Sequence, residues 1–101
     1  RDATLLCLNA GLPVLCEKPF GMDATEVAEM VAVARQRSVF LMEALWSRFM
    51  PSIQKAHELV KSGAIGKVRM VQADFGFKAN YDPTGRLFNR ALGGGATLDI
   101  G

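Results

Sequence analysis

Residues 14–21, VLCEKPFG, join a short apolar run directly to a Glu-Lys pair, and a proline and a glycine follow almost at once. Val14-Leu15-Cys16 shows no polar alternation, so it reads as a short strand covered on both faces. Glu17 and Lys18 then stand just past its carboxyl end. Pro19 withholds the next backbone donor and fixes the direction in which the chain leaves. The Lys18–Pro19 bond is also open to the cis form, which X-Pro bonds adopt at modest cost.

Outward from this stretch, helical and strand periods alternate. Upstream, Ala3, Leu6, Cys7 and Ala10 fall on one helical face, and Gly11 follows as the residue that ends the helix. Downstream, Asp23 and Glu26 have the spacing of a capping box. Val27, Met30, Val31 and Ala34 continue the helical stripe as far as Arg35 and Arg37, whose charges suit a helix C-terminus. Val39 to Met42 is a second strand without polar alternation. Two such strands about a helix make a βαβ unit with parallel strands and a right-handed crossover. Ligands of an open parallel sheet bind at the carboxyl ends of its strands, and Glu17-Lys18-Pro19 stands there. A surface lysine beside a turn proline is the alternative reading of the same three residues.

The pattern changes between Ala44 and Met50. Pro51 suits the first turn of a helix whose apolar stripe is Ile53, Ala56, Leu59 and Val60, with Gly63 closing it. A longer strand is expected at about 68–77, with Val71, Ala73, Phe75 and Phe77 on one face and Gln72, Asp74 and Lys78 on the other. Such alternation belongs to a sheet with one polar face, often antiparallel. Residues 78–92 read as a loop with a turn at Asp82-Pro83-Thr84-Gly85. Gly93-Gly94-Gly95 then leads into a helix that starts at Ala96.

The totals exclude several classes of function. Half of the 101 residues are apolar, the formal net charge is +2, and acids and bases are interspersed. A phosphate-backbone stripe is therefore absent, nucleic acid is not an expected partner, and the apolar runs are too short to span a membrane. Cys7 and Cys16 lack metal-ligand spacing and suit buried, reduced thiols of a cytoplasmic protein. His57, the single histidine, stands among Lys55, Glu58 and Lys61 with no ligand partner, so a structural role is expected and no metal. The triple glycine lacks the strand before it that a phosphate loop requires; close approach of backbone to a cleft, positioning Asp99, is the preferred reading. Both ends fall at helix boundaries, which is expected of an internal piece of a longer protein.

LCEKPFG at 15–21, MEALWSRFMP at 42–51 and LGGGATLDIG at 92–101 together resemble the Gfo/Idh/MocA superfamily of oxidoreductases, in order and along nearly the whole chain. Within it they are most similar to the branch of dimeric dihydrodiol dehydrogenases and NADP-dependent D-xylose dehydrogenases. The resemblance implies the C-terminal part of a Rossmann dinucleotide-binding domain over 1–45. Over 46–101 it implies the start of an α+β domain with a large open, mainly antiparallel sheet that serves substrate binding and dimerisation. It implies NADP or NAD as cofactor, and a sugar, polyol or trans-dihydrodiol as substrate. Lys18 and Asp99 are then the catalytic residues, and Glu17, Lys18, Pro19, Trp46 and Arg48 line the cofactor.

Phe75 matches a position near the substrate, although an aromatic on such a strand more often belongs to the core. Arg69 reaches either solvent or a cofactor phosphate. The same resemblance places a glycine-rich phosphate loop before Arg1 and a proton-transferring tyrosine four residues beyond Asp99, so the piece holds half of a catalytic site. A module that keeps the fold for cofactor sensing or assembly, without catalysis, is the competing reading.

Overall fold

A computed structural model describes residues 1–100. Its order is α1 (Asp2–Asn9), β1 (Val14–Cys16), α2 (Ala24–Arg37), β2 (Leu41–Glu43), a 3-10 turn (Trp46–Phe49), α3 (Pro51–Lys61), a second 3-10 turn (Arg90–Leu92) and α4 (Ala96–Asp99). The chain divides into two compact units. One comprises residues 1–44 and 79–101, the other 45–78.

In the first unit, β1 and β2 pair in parallel, with Val14 opposite Leu41, Leu15 opposite Met42 and Cys16 opposite Glu43. Bonds from Val14 N–H to the Phe40 carbonyl (2.9 Å) and from Ala44 N–H to the Cys16 carbonyl (2.7 Å) extend the ladder at both ends. The second strand lies slightly later than the apolar run indicates. Val39 N–H turns back to the Ala34 carbonyl at 2.9 Å and so closes α2 rather than joining the sheet. Glu43 enters the strand because its partner is Cys16.

The predicted cap on α2 is present: the Asp23 carboxylate accepts from Glu26 N–H at 2.9 Å, and the Glu26 carboxylate accepts in turn from Met22 N–H at 2.9 Å. Ser38 ends the helix in the left-handed region at φ 53°.

Leu8 and Met30 are fully buried and Ala34 nearly so, where α1 and α2 pack together. The inner face of α1 differs from the expected one. Thr4 and Leu8 are its buried residues, whereas Ala3, Leu6 and Ala10 are exposed and Cys7 is half-buried. Spacing of i and i+4 fits Thr4 and Leu8 as well as it fits the apolar set, and Thr4 is accommodated because its hydroxyl bonds the Cys16 sulfur at 3.4 Å. An Arg1–Glu29 ion pair (2.7 Å) and an Arg37–Asn9 bond (3.3 Å) also join α1 to α2.

In the second unit, Pro51 occupies the first turn of α3, which packs against the 3-10 turn. The stripe of Ile53, Ala56, Leu59 and Val60 stays exposed rather than facing inward. Residues 68–77 do not form the expected strand, and the sheet among the described residues is a two-stranded parallel one rather than a large antiparallel one. A strand exists through its pairing, and alternation alone supplies no neighbour to pair with. Val71 and Phe75 are accordingly 81% and 63% exposed.

Candidate functional site

The site belongs to the first unit and begins where β1 ends. Glu17 directs its carboxylate onto the backbone N–H of Lys18 at 3.0 Å, which fixes the start of the loop. The Lys18–Pro19 bond is cis, and Pro19 is half-buried. The chain then returns over the strand ends, where Phe20 N–H donates to the Glu43 carboxylate at 3.1 Å. That bond ties the loop after β1 to the last residue of β2.

Asp99 arrives from the other end of the sequence, in the single turn of α4. The segment before α4 is built from local hydrogen bonds. The Asp82 carboxylate accepts from both the N–H (2.9 Å) and the hydroxyl (2.7 Å) of Thr84, which holds its own carboxyl below the usual range. This is the expected turn, closed by Gly85 N–H on the Asp82 carbonyl at 3.1 Å. Gly94 N–H then bonds the Asn89 carbonyl and Gly95 N–H the Leu87 carbonyl, both at 3.0 Å. A Cβ on Gly94 would lie 2.7 Å from the Arg86 carbonyl oxygen and 2.8 Å from both the nitrogen and the oxygen of Asn89. Only glycine lets the two stretches of backbone approach so closely. A Cβ on Gly93 would stand 3.1 Å from the Met22 sulfur, so the loop after β1 also covers the glycine run.

Lys18 and Asp99 meet across 81 residues of sequence. The ammonium donates to the Asp99 backbone carbonyl and, at 3.2 Å, to its Oδ1. The same Oδ1 accepts from the Arg86 guanidinium at 2.9 Å. The Asp99 side chain is 11% exposed, against 30% for Lys18 and 57% for Arg86. Arg86 first, and Lys18 after it, hold the Asp99 carboxyl below the ordinary carboxylate range, while desolvation works the other way. The carboxylate is therefore ionised at neutral pH. An ammonium has three N–H donors, and two of them are engaged here, which leaves one for an incoming oxygen.

The structure thus brings together Lys18 and Asp99, with Glu17 and Pro19 on the same loop. Trp46, Arg48 and Phe75 lie in the second unit, and all three are exposed there. The Arg48 N–H closes the 3-10 turn on the Leu45 carbonyl at 3.1 Å. Arg86 and Glu43 are contributors that sequence patterns did not single out. Arg86 follows directly on the Asp82–Gly85 turn, and that position is its only local signal. Gly101 lies outside the described residues.

Residues 1–45 match the model of an oxidoreductase family with an NAD-binding Rossmann fold, and residues 53–101 match that of the GFO/IDH/MocA C-terminal domain. The chain belongs to the Gfo/Idh/MocA oxidoreductase family. Within this family it is 50% identical over 101 residues to the trans-1,2-dihydrobenzene-1,2-diol dehydrogenases of Mus musculus and Homo sapiens, and 48% identical to that of Xenopus tropicalis. Each match covers 100% of this chain and 30% of the relative. The chain thus spans about a third of the length of the curated relatives it matches.

A nicotinamide nucleotide places a ribose and a flat ring at the carboxyl ends of such strands. The residues present fit that end of the molecule. The Lys18 ammonium has a donor to spare, Pro19 offers a partly exposed ring, and both follow directly on β1.

Proposed function

We propose that the parent protein is an NAD(P)-dependent dehydrogenase that moves a hydride between NADP(H) or NAD(H) and a secondary hydroxyl or carbonyl of a sugar or trans-dihydrodiol. The single observation that carries this reading is the Lys18 ammonium, held at the end of a parallel strand by Asp99. Hydride acceptance is the chemistry that the nicotinamide supplies when bound. The chain's own contribution is electrostatic. Lys18 gives its remaining donor to the substrate oxygen and favours the negative charge that develops on it as the C–H bond breaks.

Asp99 keeps the ammonium in place. The hydroxyl proton leaves to the tyrosine that the family resemblance expects four residues beyond Asp99. Glu17, Pro19, Trp46 and Arg48 line the cofactor in this reading, and Phe75 contacts substrate. Residues 1–45 belong to the cofactor domain and 46–101 to a substrate and dimerisation domain, in which the alternating segment at 68–77 finds its partners in a large, mainly antiparallel sheet. NADP is the favoured cofactor, by likeness to the dihydrodiol branch. A cytoplasmic location agrees with two free thiols, Cys7 and Cys16, and a homodimer or higher homo-oligomer follows from likeness to the dihydrodiol branch.

The test is Lys18→Met in the full-length parent, with turnover and nucleotide affinity measured separately. A loss of roughly 100- to 1,000-fold in kcat is expected, as for removal of one preorganised donor, with nucleotide affinity kept. Unchanged turnover would sink the assignment.

A further inference from the structure

Asp99 has a second cationic neighbour, and the reading of Lys18 and Asp99 as catalytic groups does not account for it. α4 is a single turn, secured by Asp99 N–H on the Gly95 carbonyl (3.1 Å) and Ile100 N–H on the Ala96 carbonyl (2.8 Å). So short a helix fixes a side chain weakly. Lys18 is not free to serve as the sole anchor, because in the dehydrogenase reading its ammonium must also meet a substrate oxygen.

Arg86 is under no such demand. The backbone on either side of it is pinned, through Gly85 N–H on the Asp82 carbonyl (3.1 Å) and Gly95 N–H on the Leu87 carbonyl (3.0 Å). Its own carbonyl sits against Gly94 with no room for a Cβ. The guanidinium is planar and permanently charged, and it meets Oδ1 at 2.9 Å from a more exposed position than the carboxylate it holds.

We propose that Arg86 is the positioning residue of this site, anchoring the Asp99 carboxylate so that Lys18 can turn its free donor to the substrate without drawing Asp99 out of place. This deepens the dehydrogenase reading and rests on it. Arg86 touches neither substrate nor cofactor; it acts through Asp99. Arg86 and Lys18 are the charged groups that face Asp99 among the described residues.

The experiment uses the full-length parent with Arg86→Ala, Arg86→Lys and Arg86→Gln. Three readouts are taken: kcat and KM across pH, affinity for the nicotinamide nucleotide, and the titration of the Asp99 carboxyl carbon by NMR. Arg86→Ala should lower kcat on the order of 10- to 100-fold, the scale of a misplaced working group, while nucleotide affinity holds. Because Arg86 depresses the carboxyl, its removal should move both the Asp99 titration and the acid limb of the rate profile to higher pH. Arg86→Lys, which keeps the charge, should recover part of both.

The proposal is overturned if the Asp99 titration in Arg86→Ala matches wild type, whatever happens to kcat. It is equally overturned if kcat is unchanged, or if the lysine variant is as impaired as alanine. Should the alanine variant fail to fold, Arg86→Gln keeps the size and a donor without the charge, and its Asp99 titration decides the matter by the same criterion. A wild-type parent that turns over neither diol nor sugar would refute the dehydrogenase reading. The carboxyl titration would then still judge the Arg86 anchor.

Discussion

Substituting Gly94 with alanine isolates the close approach on which Asp99 depends. The added Cβ would meet three backbone atoms at 2.7, 2.8 and 2.8 Å, and none of them can rotate away as a side-chain tip could. Relief requires residues 86–89 and 94 to separate. That movement strains the Gly94–Asn89 and Gly95–Leu87 bonds, each 3.0 Å long. Overpacking of this kind costs about 1–3 kcal/mol, and each weakened hydrogen bond adds roughly 1 kcal/mol. The full-length Gly94→Ala variant should therefore lose about 3–5 kcal/mol.

Thermal unfolding of Gly94→Ala beside wild type is the assay. Equal midpoints would show that the loop yields freely and that its packing does not position α4.

Two further perturbations test other links. Asp99 is depressed in the folded chain by Arg86 and then Lys18, so its contribution to stability is complete above the unfolded carboxyl value of about 3.9 and is lost as pH falls through the lower folded value. The difference in melting temperature between wild type and Asp99→Asn should accordingly be constant near neutrality and close under acid; a gap that persists at the acid end contradicts the ion-pair account. Ser38 holds φ 53° at the end of α2, a region that disfavours any residue with a Cβ. Ser38→Gly should raise stability by about 0.5–1 kcal/mol, measured as a higher unfolding midpoint, and a lower one would count against backbone strain there.

Much of the first unit was legible because its signals are local. The Asp23–Glu26 cap, the stripe through Met30 and Ala34, and two unalternating apolar runs each act within a few residues, and together they specify β1, α2 and β2. Where a choice depended on a distant neighbour, the local pattern misled. In α1 the apolar residues Ala3, Leu6 and Ala10 looked like the inner face, yet Thr4 is buried because the Cys16 sulfur receives its hydroxyl. At 68–77 the alternation was read correctly as residue order, but a strand also needs a partner within reach, and that is not a property of the segment itself.

The site divides along the same line. Lys18 could be noticed as a charge directly after a buried strand, followed by proline, though a surface lysine fits those residues as well, and only the family resemblance favoured a site. Asp99 could be singled out by that same resemblance. Arg86 could not, since nothing in RLFN marks an arginine as anchored. Its meaning arises only when Gly94 is pressed against its carbonyl and α4 brings a carboxylate to its guanidinium. On the proposed dehydrogenase reading, a lysine that alone held the aspartate would give up that contact whenever its ammonium turned to substrate. A second cation on the same oxygen, carried by a backbone stretch that Gly94 presses against, removes that conflict.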